Sequence, residues 1–145
     1  MSMFTFGRKT ETDVVLRRHG GPEKAGMMVA VVDAVHDLLE GKASVEDVEK
    51  VITSAIVEGR RDIWDAAGTW LLKVQKYYPS VGRVWLELAK HPDAEVRFRV
   101  ACHIIDLPEV TCTEVYGLLK DDKSKKVRTQ AEGKWDYRQH PEKYA

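Results

Sequence analysis

The chain has 145 residues, enough for one domain with a sizeable core and too few for two large ones. Lysine plus arginine and aspartate plus glutamate each total 23, so no overall basic charge points to nucleic acid. A composition of 43% apolar and 32% charged residues is that of a folded globular protein and excludes a disordered chain.

A short helix is expected around Asp13 to His19, closed by Gly20-Gly21. From Pro22 to Leu39 the residues Ala25, Met28, Val29, Val32, Val35 and Leu39 recur with helical spacing, with Gly41 at the exit. Met27, Ala30, Val31 and Ala34 broaden that stripe, which predicts cover on two sides and leaves Asp33, Asp37 and Glu40 on the remaining face. Ser44 with Asp47 is a variant of the capping box and launches Val45, Val48, Val51, Ile52, Ala55 and Ile56, stopped near Gly59. Asp62 then reads as the cap of a helix from Ile63 to Tyr78, ended by Pro79. Ser80 opens Val81 to Lys90, and His91-Pro92 breaks the chain. Asp93 caps a helix to about Ile105, and Leu107-Pro108 breaks it again. Thr111 or Thr113 opens Glu114 to Leu119, and Ser124 opens a helix to about Gln139. No segment alternates with period two for long enough to argue a strand.

The longest apolar stretch, Met27 to Val32, is too short to cross a bilayer. No leader is expected, because Arg8, Lys9, Glu11 and Asp13 precede no long apolar run. Cys102 and Cys112 sit among core-type residues and read as small buried side chains in a reducing compartment. The expected location is the cytoplasm, with no membrane contact.

Two stretches repeat one pattern. Asp93-Ala-Glu-Val-Arg-Phe-Arg-Val-Ala101 and Ser124-Lys-Lys-Val-Arg-Thr-Gln-Ala131 each carry a cap, then Val-Arg, then small or apolar residues one turn on. Val96 and Val127 stand 31 residues apart, and an apolar helix precedes each copy. The predicted helices fall into three consecutive pairs, roughly 44–78, 80–106 and 111–139, behind N-terminal helices in 1–43. Ile63 aligns with Val96 at a separation of 33, but Trp64 then stands where Arg97 and Arg128 stand. Ala67, Gly68, Ala101 and Ala131 are small, which lets two helices of a pair approach closely.

On Asp93, Val96, Arg97, Val100 and Ala101, and on Val127, Arg128 and Ala131, the chain resembles the HEAT-repeat family and its shorter bacterial HEAT-like relatives. The resemblance covers about 80–139, extends to 44–78 in its apolar frame without the arginine, and is absent over 1–43. It implies an all-α fold, a short right-handed stack of antiparallel helix pairs forming one α-solenoid domain over 1–145, with N-terminal capping helices. An ordinary helical bundle is the alternative. The resemblance further implies that Arg97 and Arg128 bond along the stack to a loop aspartate, with Asp93, Asp121 and Asp122 as acceptors.

Little catalytic chemistry is visible. Cys102 and His103 are adjacent, so on a helix their side chains diverge by about 100°. His36 with Glu40 is a lone i, i+4 pair without the second pair a metal needs, and His36 reads as a surface residue. His91 and His140 precede prolines and read as loop histidines, and no Cys-x-x-Cys, phosphate loop or nucleophile elbow is present. No cofactor or metal is expected. Trp70 and Trp85 occupy inward positions. Trp64, beside Asp65, Arg60 and Arg61, reads either as packed over the N-terminal helices or as a partly exposed interface residue.

The function expected on this pattern is non-catalytic protein binding, as in an adaptor or a toxin-neutralising immunity protein. Trp64, Asp65, Arg61, Asp33, Asp37 and Glu40 are the candidate partner-binding residues, and the acidic positions, with Glu46, Asp47 and Glu58, would face a basic partner. The alternative is nucleic-acid binding. Bacterial HEAT-like DNA glycosylases place aromatic, aspartate and arginine side chains against DNA, and Trp135 and Arg138, with Lys125 and Lys126, are residue types of that sort. Residues 120–145 hold 8 basic and 5 acidic side chains, only a weak positive patch.

Overall fold

The computed structural model describes residues 6–145; the first five residues of the expected N-terminal segment 1–43 lie outside them. Eight α-helices occur among the described residues, with no strand: α1 (Arg8–Arg18), α2 (Gly26–Leu39), α3 (Val45–Glu58), α4 (Arg61–Tyr77), α5 (Arg83–Ala89), α6 (Ala94–Ala101), α7 (Glu109–Leu119) and α8 (Lys125–Gln139). The all-helical expectation therefore holds. By packing, the chain divides into two compact units, one ending at Val81 and one beginning at Gly82.

In the first unit α2 packs against α1, α3 and α4, and α3 against α4. Met28, Val31, Val32 and Val35 of α2 are fully buried, as are Val48 and Ile52 of α3 and Leu71 and Val74 of α4. The broad apolar stripe on α2 is thus the consequence of having neighbours on several sides. His36 belongs to the same buried surface with 8% exposure, which corrects its reading as a surface residue. Burial, followed by the charge of Arg8, pushes the His36 imidazole below its ordinary pKa. The α3 start is the capping box the sequence spells: Asp47 N–H donates to Ser44 Oγ at 3.1 Å, and Ser44 N–H to Asp47 Oδ2 at 2.9 Å.

Several boundaries move. Pro22 lies in the turn before α2, which starts at Gly26, because Gly20 and Gly21 (φ 91° and 88°) reverse the chain first. Asp62 sits inside α4 rather than capping it; Arg60 is the N-cap residue. A short 3-10 turn, Pro79–Gly82, precedes α5, and α6 stops at Ala101, followed by another over Ile104–Asp106. Helix α7 begins at Glu109 behind Pro108, earlier than either threonine, since Pro108 has no N–H to leave unsatisfied and enters with extended backbone.

In the second unit each helix meets the one two places on. Helix α5 lies against α6 and α7, and α6 against α8, while α7 and α8 pair with each other. Trp85, Val100, Ala101, Ile104, Val115, Leu119, Val127 and Ala131 are fully buried. Trp70 and Trp85 are both core residues, at 6% and 0% exposure.

Two glycines show opposite physics. A Cβ at Gly59 would collide with the Ala55 carbonyl oxygen and stand 2.6 Å from Ile63 Cγ2, because the chain passes directly under the start of α4. A Cβ at Gly133, in the body of α8, would meet nothing within 4 Å. Gly59→Ala should destabilise the fold by about 1–3 kcal/mol through overpacking. Gly133→Ala should stabilise it by about 0.5–1 kcal/mol, since alanine loses less entropy in a helix. Urea unfolding followed by helical circular dichroism measures both, and a gain in stability for Gly59→Ala would contradict the packing.

Candidate functional site

The strongest polar constellation is built on two turns of similar plan. Before α6, the Asp93 N–H donates to the His91 ring nitrogen Nδ1 at 3.0 Å, and Asp93 Oδ1 accepts from the Glu95 N–H at 2.9 Å. Before α8, the Ser124 N–H donates to Asp122 Oδ1 at 2.9 Å, and Ser124 Oγ accepts from the Val127 N–H at 3.4 Å. Arg97 Nη1 reaches six residues back to the His91 carbonyl at 2.7 Å, and Arg128 Nη1 six residues back to the Asp122 carbonyl at 2.6 Å. Three residues of the first turn recur in role 31 residues later, His91 with Asp122, Asp93 with Ser124 and Arg97 with Arg128, although Asp93 caps the N–H two residues on and Ser124 the one three residues on. Each arginine satisfies a carbonyl that the entry to its own helix leaves without a partner.

Arg97 also spans to the second turn. Its Nε donates to Asp122 Oδ2 at 2.8 Å and its Nη2 to Asp122 Oδ1 at 3.1 Å, a two-bond fork on one carboxylate. Both side chains are 7% exposed. Burial alone would raise the Asp122 pKa, but the Arg97 fork and the Ser124 N–H outweigh it and hold the carboxyl below its usual range. The same pairing raises the Arg97 guanidinium further. Of the three candidate acceptors, the structure brings Asp122 to Arg97; Asp93 caps α6, and Asp121 is exposed.

The candidate partner-binding residues do not form one open site. Arg8 of α1 stands among the acidic residues of α2, 3.1 Å from Asp33, 2.9 Å from Asp37 and 3.5 Å from Glu40, while Lys42 lies 3.3 Å from Glu40. The free acidic face expected there is therefore an intramolecular ion cluster. Trp64 is only 6% exposed, so the reading as an exposed interface residue is corrected and the packed reading holds. Asp65 and Arg61 remain exposed on α4.

The cations offered for nucleic acid are largely engaged as well. Arg138 Nη1 donates to the carbonyls of Ile104, Ile105 and Leu107, closing the frayed end that follows α6. Lys126 Nζ lies 3.2 Å from Glu95 and 4.2 Å from the centre of the Phe98 ring. Lys125 is exposed. Trp135 is half-buried and stacked face to face on Tyr116, with ring centres 4.3 Å apart. Burial, then the charges of Glu132 and Asp121, raise the Tyr116 hydroxyl pKa.

One cluster escaped sequence reading. His19, 3% exposed, places Nδ1 2.8 Å from Asp62 Oδ2, and Arg60 Nε lies 2.6 Å from Asp62 Oδ1. Arg60 also donates to the carbonyls of His19 and Lys24 at 2.6 and 2.7 Å, pinning the turn between α1 and α2 to the start of α4. The His19 bond, then Arg60, against some desolvation, lowers the Asp62 carboxyl pKa. The only signal was a carboxylate two residues after an arginine at a helix start, and it fits a cap equally well.

Among the surface grooves, two run along neighbouring helices. One, of about 260 Å³, is lined by Met27, Ala30, Lys50, Val51, Ser54 and Ala55 between α2 and α3. The other, of about 530 Å³, is lined by Ile105, Gln130, Gly133, Lys134, Tyr137 and Tyr144 along α8. Neither lining brings a histidine, cysteine or carboxylate, so both suit contact rather than proton transfer. Among the described residues no three histidine, cysteine or carboxylate side chains stand close enough to hold a metal ion, and no helix is long and apolar enough to cross a membrane. Cys102 and Cys112 are unbridged. Compared with known proteins, the chain matches no family model, no curated protein and no solved structure.

Arg97→Ala leaves Asp122 buried without its cation and should cost about 3 kcal/mol of stability in urea unfolding. The Arg97→Met, Asp122→Leu double variant should recover part of that loss, because the uncompensated charge is gone. Asp122 titrates below its unfolded value. Its contribution is therefore complete above about pH 4 and is lost as pH falls through the folded value. The stability gap between wild type and Asp122→Asn should narrow as pH is lowered from about 5 to about 2. A gap that stays constant would mean the carboxylate is not held by Arg97.

Proposed function

We propose that this protein is a non-catalytic protein-binding module, built as a short HEAT-like stack of helix pairs. The observation that carries the reading is the repeated turn: the entries to α6 and α8 follow a similar plan 31 residues apart, with α5 set against α7 and α6 against α8. Repeats joined in this way propagate a continuous side surface, and such surfaces serve to hold other macromolecules. The resemblance to HEAT-like proteins points the same way, toward an adaptor or an immunity protein that blocks a toxin. Support for a basic partner is weaker than the composition of α2 suggested, because Arg8 already occupies the centre of its acidic face. A cytoplasmic location remains part of this reading. Nucleic acid is the less favoured partner, since Arg138 and Lys126 are bonded within the protein.

Tagged protein recovered from nuclease-treated extracts of its own cells should carry one dominant polypeptide in near-equimolar amount. A gel-shift with mixed duplex and single-stranded DNA at low salt should show the DNA running free. Micromolar retention of DNA, or recovery of the chain alone, would overturn the reading.

A further inference from the structure

The two arginines are equivalent in what they do for their own turns and unequal in what they hold beyond them. Arg97 directs Nε and Nη2 at the Asp122 carboxylate of the next turn. Arg128 makes the same backward bond to its own turn through Nη1, yet among the described residues no carboxylate meets its Nε–Nη2 edge. The difference continues along the helix. Ala101, one turn after Arg97, and Ile104, in the 3-10 turn that follows α6, are fully buried. Their counterparts 31 residues on are Glu132, which is exposed, and Trp135, which is half-buried on Tyr116. The inward positions do not differ: Val96, Val100, Val127 and Ala131 are all buried. Arg128, Glu132 and Trp135, spaced i, i+4 and i+7, therefore share one face of α8, which is less buried than the corresponding positions 31 residues earlier.

We propose that this face, Arg128 with Glu132, Trp135 and Tyr116, docks another polypeptide that brings a carboxylate from a loop leading into a helix. The inference rests on the protein-binding reading and names the surface and the chemistry it takes. The chain itself supplies the template for the occupant. The turn that Arg97 grips offers an acidic side chain two residues before a helix cap, and a guanidinium fork fits both carboxylate oxygens at once. The exposed Glu132, one turn on from Arg128, favours a lysine or arginine on the arriving helix, and the Trp135–Tyr116 stack offers an aromatic surface for an apolar side chain.

Carbodiimide coupling reads the contact directly, because it joins an amine to a carboxylate only where the two touch. The full-length Arg128→Lys variant, which keeps the charge, is exposed to extract and coupled, and the products are mapped by mass spectrometry. The expected product links position 128 to an aspartate or glutamate of a different protein, just ahead of a helix. In parallel, Arg128→Ala should lower recovery of that protein at least tenfold, with unfolding of the variant measured to separate loss of binding from loss of fold. A link from position 128 to a second copy of this chain would overturn the proposal in favour of self-association. A partner recovered equally well by Arg128→Ala, with couplings only at other positions, would overturn the docking face and leave the protein-binding reading standing. Recovery of no partner by the wild type would remove both.

Discussion

The Arg97–Asp122 pair decides how the second unit holds together. The guanidinium is satisfied on three sides, with two bonds to the Asp122 carboxylate and others to the carbonyls of His91 and Pro92. The carboxylate is in turn held by the Ser124 N–H, so the same group that receives Arg97 also shapes the entry to α8. One pair thus joins the turn before α6 to the turn before α8. A buried ion pair adds little net stability over a well-packed apolar pair, because desolvation offsets attraction. What it adds is selectivity. A helix pair shifted by one turn would bury Arg97 without a carboxylate, and that error costs far more than a misplaced leucine.

The first unit solves the same problem with different residues. Trp64 stands at the aligned position of the arginine, and it is buried. The tie between turns passes to Arg60, which donates to the carbonyls of His19 and Lys24 and pairs with Asp62. A second tie comes from Arg8, which holds α1 onto the acidic face of α2. The arginines that fasten this unit come from a helix end and a turn, so the arrangement carries no 31-residue signature. That is why the 31-residue correspondence between the turns before α6 and α8 finds no match in this unit.

The sequence made the helices legible because their apolar residues recur with a clean period and their caps are explicit, as at Ser44, Asp93 and Ser124. The resemblance to HEAT-like proteins also implied a partner for Arg97, while leaving three aspartates open. Choosing Asp122 needs the spatial relation of two turns, which spacing along one helix does not contain. The misreadings share a cause. His36, read as exposed, and Trp64, left open between packed and exposed, sit at the flanks of their stripes, where burial depends on how many neighbours a helix acquires. Arg8 and Arg138 look like surface cations, yet one meets carboxylates on another helix and the other meets carbonyls left over by the short α6. Periodicity reports which face a helix buries, and is silent on what arrives from elsewhere to cover the rest.

The positive balance of residues 120–145 illustrates the functional consequence. Among its cations, Arg128 and Arg138 hold backbone carbonyls, Lys126 pairs with Glu95 and Lys143 pairs with Asp136. A cation already bonded within the fold must break that bond before it can replace a counterion on a phosphate, so each contributes less than a free lysine would. The fork edge of Arg128 is different in kind. Its Nη1 is fixed by the turn, which orients the remaining edge and removes much of the side-chain entropy that an unrestrained arginine loses on binding. A single pre-oriented guanidinium beside an aromatic stack is poorly matched to a phosphate backbone, which rewards many dispersed charges. It is well matched to one carboxylate arriving in one orientation, and that is the demand a protein partner makes.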